Sequence, residues 1–204
     1  MPDDDRPTAP LAVTPAFRTL APMSRAADHV AIALGAERAG ELDLGVTWVE
    51  GCGSADGAIV FARVLYDPAD PSSSVAGTPV ELGRGAVASP SIVYVGSPGF
   101  VTAGFARGAG AAADESTDGG WLVAWEDHST SRVLARRVLE LDAQPIDEQA
   151  IDLTLARAGM DPRFVAVYPP GDASRPTVGY AYFDRGARAL VGGTLACEPG
   201  APAP

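Results

Sequence analysis

Trp121-Leu-Val-Ala-Trp125-Glu-Asp127 decides the fold, because the chain carries the same pattern twice more. The other copies read Leu44-Gly-Val-Thr-Trp48-Val-Glu50 and Val178-Gly-Tyr-Ala-Tyr182-Phe-Asp184. Each alternates large side chains with mostly small ones and sets an aromatic two residues before an acid. Side chains on a strand alternate faces, so that aromatic and that acid share one face. A motif recurring in one register marks a repeated structural unit.

The repeat extends on both sides of the motif. An apolar strand precedes each copy, at residues 30–34, 92–95 and 164–167. Pro90 and Pro162 introduce two of these strands, where Asp28 stands in the first; proline is tolerated at the first residue of a strand. A third strand follows each copy, at residues 59–65, 133–139 and 189–195, and a short fourth strand follows near 79–82 and 150–153. Gly and Pro separate these runs and no stretch has helical periodicity, which is the all-β pattern. The organisation expected is a disordered tail over 1–10 and a spare strand within 11–22. Unit 1 follows over 23–83, unit 2 over 84–154 with an insertion at 97–120, and unit 3 over 155–196. A Pro-rich tail covers 197–204. The spare strand, Phe17-Arg-Thr-Leu20, stands where the fourth strands stand ahead of units 2 and 3, so it is placed to complete unit 3.

Repeated four-stranded antiparallel units of this kind resemble β-propeller blades. The second unit, residues 88–154, is most similar to the blades of bacterial secreted or envelope repeat proteins, in which such a Trp strand leads into an Arg-rich strand and a turn, here Leu141-Asp-Ala-Gln-Pro145. The resemblance implies an all-β protein of three propeller-like units and an extracytoplasmic setting. It carries no catalytic residue, since such blades serve many functions. Propellers have typically about 4–8 blades. Three units therefore leave three readings: part of a longer propeller, a two-chain ring formed by a homodimer, or a β-sandwich.

Composition bounds the function. The chain has 204 residues, enough for a substantial core, and 47% of them are hydrophobic. Its formal charge of −11 argues against nucleic acid, which needs clustered cations. No apolar run approaches the roughly 18 residues of a membrane span. The opening Met1-Pro-Asp-Asp-Asp-Arg has no signal-peptide character, which fits a cytoplasmic protein or a chain without its native N-terminus. All fifteen basic residues are arginine, and lysine and asparagine are absent. That removes lysine nucleophiles and Asn-x-Ser/Thr glycosylation. Cys52 and Cys197 stand either as a pair closing a long loop or as two unrelated small residues.

Glu50, Asp127 and Asp184 occupy equivalent positions, and in a ring they would form a carboxylate array for a metal or for acid–base work. The structural reading, which the residues favour, is that each accepts hydrogen bonds from its own turn. Trp48, Trp125 and Tyr182 read as core between units, whereas Trp121, whose counterparts in the other copies are Leu44 and Val178, has two readings: core, or a more exposed ligand contact. In the insertion, Asp114-x-Ser116-x-Asp118-Gly119 has the oxygen spacing of a calcium loop, without the closing glutamate. His128 beside Glu126, Asp127 and Ser129 reads as a turn, because triad members normally come from separate segments. The function expected is therefore a non-catalytic binding or scaffold module for a protein or glycan partner, with the loop 106–120 its most distinctive surface. The alternatives are a glycan-active hydrolase or lyase and a calcium-stabilised adhesion module.

Overall fold

A computed structural model describes residues 27–38, 40–96, 119–155, 157–167 and 177–196. These residues form an all-β structure of three antiparallel sheets. The only helical segment among them is one 3-10 turn, Pro71–Ser73, so no helix there is long and apolar enough to cross a membrane. The expected strand at 17–20, the calcium-type loop and Cys197 lie outside the described residues.

Sheet 1 contains β1 (Ala27–Arg38), β2 (Glu41–Glu50), β3 (Gly57–Tyr66), β4 (Val75–Ala76) and β5 (Val80–Gly85), with β4 and β5 both pairing with β3. Sheet 2 runs in the order β6 (Val87–Val95), β7 (Gly120–Asp127), β8 (Arg132–Leu139), β9 (Ile151–Asp152). Sheet 3 contains β10 (Gly159–Val167), β11 (Thr177–Asp184) and β12 (Ala189–Ala196). The repeated motif is thus the second strand of every sheet. Glu50, Asp127 and Asp184 pair with the first residues of the preceding strands, Ala27, Val87 and Gly159.

The sheets pack face to face in series. Val49, Ile59 and Phe61 of sheet 1 meet Trp121, Val123 and Trp125 of sheet 2. On the opposite face of sheet 2, Leu122, Ala124, Val133 and Ala135 meet Val178 and Tyr182 of sheet 3. Sheet 2 is therefore buried on both sides, which is why β7 is apolar and not alternating from Trp121 to Trp125. Trp48, Trp125 and Tyr182 are all core, as their spacing predicts. The glycines opposite make room: a Cβ on Gly83 would come within 2.7 Å of the Trp125 ring, and one on Gly45 within 2.6 Å of Trp121.

The prolines need a correction. Pro90 and Pro162 do not open their strands but lie inside β6 and β10. The pairing skips there, between Ala88 and Ser91 and between Met160 and Arg163, and β1 skips likewise between Asp28 and Ala31. Val30, not Asp28, is the counterpart of the prolines. Proline has no N–H for the ladder, and a bulge is where a strand can accept it.

Candidate functional site

The three bulges share a backbone feature that sequence reasoning missed. His29, Ser89 and Asp161 occupy equivalent positions, and all three adopt left-handed φ values, of 52°, 48° and 52°. Such a conformation costs a non-glycine residue roughly 1–2 kcal/mol. His and Asp are among the types that tolerate it best. Strain of this kind persists only where its surroundings enforce it.

All three bulges open on one cleft of about 380 Å³. His29, Val30 and Ala31 line it from sheet 1, Ser89, Pro90 and Ser91 from sheet 2, and Asp161 and Arg163 from sheet 3. His29, Asp161 and Arg163 are exposed, whereas Pro90 and Ser91 are buried in the wall. The cleft therefore offers a cation, a carboxylate, an imidazole and hydroxyls within a partly apolar rim.

Buried Glu126 fixes this geometry across two sheets. Its Oε1 accepts a hydrogen bond from the Asp161 backbone N–H at 2.6 Å, and its Oε2 lies 2.7 Å from His128 Nε2. Burial alone would raise its pKa; the bonds from Asp161, His128 and Ser89 outweigh that and hold the carboxyl below its usual range. Ser91 Oγ accepts the Phe164 N–H at 3.2 Å. A glutamate and a serine from sheet 2 thus satisfy amides along the bulged strand of sheet 3.

The repeated acids are held locally. Asp127 accepts hydrogen bonds from the Ser129 N–H and Oγ and from Thr130 Oγ1, at 2.9, 2.5 and 2.7 Å. Burial opposes its ionisation, but these turn donors outweigh it and lower its pKa. Asp184 accepts the Ala187 N–H at 2.9 Å, and Glu50 the indole N–H of Trp48 at 3.3 Å. For Asp127 and Asp184 these donors are turn groups, with Arg157 Nη1 also 3.9 Å from Asp184 Oδ2; for Glu50 one donor is Trp48 of its own strand. The tempting His128 cluster divides in the same way. His128 is bonded to Glu126, while Ser129 is bonded to Asp127, so no nucleophile–base–orienter relay forms.

Trp121 takes the core reading and not that of an exposed ligand contact. It is fully buried between sheets 1 and 2, with ring centroids 5.3 Å from Phe61 and 5.6 Å from Tyr94. Its Nε1 has no hydrogen-bond partner. The larger ring is accepted because Gly45, and not a side chain, lies opposite.

Asp114, Ser116 and Asp118 lie outside the described residues, as does all of the 106–120 loop before Gly119. Among the described residues, no three His, Cys, Asp or Glu side chains cluster as metal ligands. A second groove, of about 320 Å³, runs between Arg63, Leu65 and Val75 of sheet 1 and residues 141–144 in the connection from β8 to β9. Arg63 on its wall is committed to the buried Asp43, with Nη2 2.6 Å from Oδ2. No family model, curated protein or solved structure matches the chain.

Proposed function

We propose that this protein is a non-catalytic, propeller-like binding module whose ligand enters the cleft between the three bulges. The observation that carries this reading is the convergence of three strained, equivalent backbone positions on one partly apolar cleft. Donors and acceptors of both charges, from Arg163, Asp161, His29 and Ser89, suit a polar ligand such as a short glycan or peptide segment. A glycosidase needs two carboxyls about 5–9.5 Å apart and free to act. Asp127 and Asp184 are instead occupied by their own turns, and Glu126 by a backbone amide and His128. This favours binding over turnover.

The test is calorimetric titration of short oligosaccharides and peptides into the wild type and into Arg163→Ala and His29→Asn, the latter because asparagine also tolerates the left-handed backbone. The expected result is a ligand whose affinity falls about tenfold or more in both variants, about 1.4 kcal/mol, with melting temperature unchanged. Wild-type affinity in both variants, or hydrolysis of the ligand, would contradict the reading.

A further inference from the structure

The cleft between the bulges holds two opposite charges that do not meet. Asp161 and Arg163 both line it, and both are exposed. They stand two residues apart, yet among the described residues neither forms an ion pair, with the other or with a third group. The backbone holds this segment still. Asp161 sits in the left-handed region, and its N–H is bonded to Glu126 Oε1 at 2.6 Å. Pro162, buried between the two charges, has its φ fixed by the ring. Arg163 Nη1 donates to the Pro162 carbonyl at 2.8 Å, which ties the guanidinium to its own segment. Among the described residues the Asp161 carboxylate accepts no hydrogen bond, so it is open to a ligand.

We propose, resting on the binding reading above, that the ligand is a short dipolar peptide, with its carboxylate on Arg163 and its ammonium on Asp161. The planar fork of arginine matches a carboxylate. A net charge of −11 repels a purely anionic ligand, whereas a dipolar one of zero net charge is indifferent to it. A purely cationic ligand would meet Arg163 as a like charge. Among the described residues, no Phe, Tyr or Trp lines the cleft, and all three tryptophans are buried. The C–H face of a sugar packs best on an aromatic ring, whose face is electronegative, so a neutral glycan finds no platform here. Val30, Ala31 and Pro90 supply the apolar wall for a peptide side chain. At about 380 Å³ the cleft is at the small end of ligand sites, which span about 300–1,000 Å³, so the occupant is short.

Calorimetric titration of a panel of free tripeptides and of neutral trisaccharides tests this. The wild type should bind tripeptides and not trisaccharides. N-acetylating the best tripeptide should weaken wild-type binding about tenfold, the worth of one charge-assisted hydrogen bond. In Asp161→Asn, which keeps the left-handed backbone, acetylation should make no further difference. C-amidation should behave in the same way, with Arg163→Gln as the insensitive background. Trisaccharide binding without tripeptide binding, or tripeptide binding indifferent to both caps, would overturn the dipolar ligand and leave the cleft as a binding site. Tripeptide binding unchanged in both variants, or no binding of either class, would overturn both.

Discussion

At the scale of single residues, the aromatic and acidic positions of the motif are structural. Trp125 fills the space above Gly83, and large-to-small changes at such sites remove both buried surface and packing. Trp125→Ala is expected to cost about 3–5 kcal/mol in urea unfolding. Gly45→Ala should cost about 1–3 kcal/mol, since its new methyl must displace the Trp121 indole from a packed interface. The core aromatics were legible because alternation and repetition both point inward. Trp121 was not, because its burial depends on a glycine in a different sheet, and pairing between sheets leaves no local pattern. The left-handed bulge residues were half legible. Proline at 90 and 162 signalled an interruption, but His29–Val30 adopts the same bulge without proline.

At the scale of elements, charged side chains tie strands together where apolar packing ends. Arg137 is buried in sheet 2, its guanidinium 2.6 Å from Asp147 Oδ1 and its backbone N–H 2.8 Å from Oδ2. Asp147→Ala removes the acceptors of both the buried guanidinium and the Arg137 amide, and should destabilise by about 2–4 kcal/mol in denaturant titration. The repeated Arg63 and Arg137 were visible in the sequence, but their partners were not: Asp43 lies on the adjacent strand and Asp147 in a connection. Glu126 joins sheet 2 to sheet 3 and gives the interface a pH dependence. Glu126 and Asp127 both titrate below their ordinary values in the folded protein. Their contribution is therefore complete above the unfolded carboxylate pKa of about 4 and is lost as pH falls through the lower folded values. Melting temperature should drop on that acid limb, and Glu126→Gln should lower it at neutral pH while flattening the limb. An unchanged limb in Glu126→Gln would show that the carboxylate does not clamp the bulge.

At the scale of the whole molecule, three sheets in series explain why sheet 2 is buried on both faces while sheet 3 buries Val178 and Tyr182 and exposes Val165, Phe183 and Leu190. The number of sheets, the order of the first three strands in each and the core aromatics could be read from spacing; the expected four strands per unit could not, since the described sheets have five, four and three. The cleft could not, because it forms only where the first strands of three units, far apart in sequence, come together. Its position follows from the shared bulge, and its polar groups come from the residues that the repeat leaves free to vary: His29, Ser89, Asp161 and Arg163. The most direct measurement is amide chemical-shift mapping of a polar fragment library on the isotopically labelled protein. The account predicts that the binding fragments perturb the amides of His29, Val30, Ala31, Ser89, Ser91, Asp161 and Arg163 together. Perturbations confined to the groove beside Arg63 and Leu141, with the three bulges silent, would contradict it.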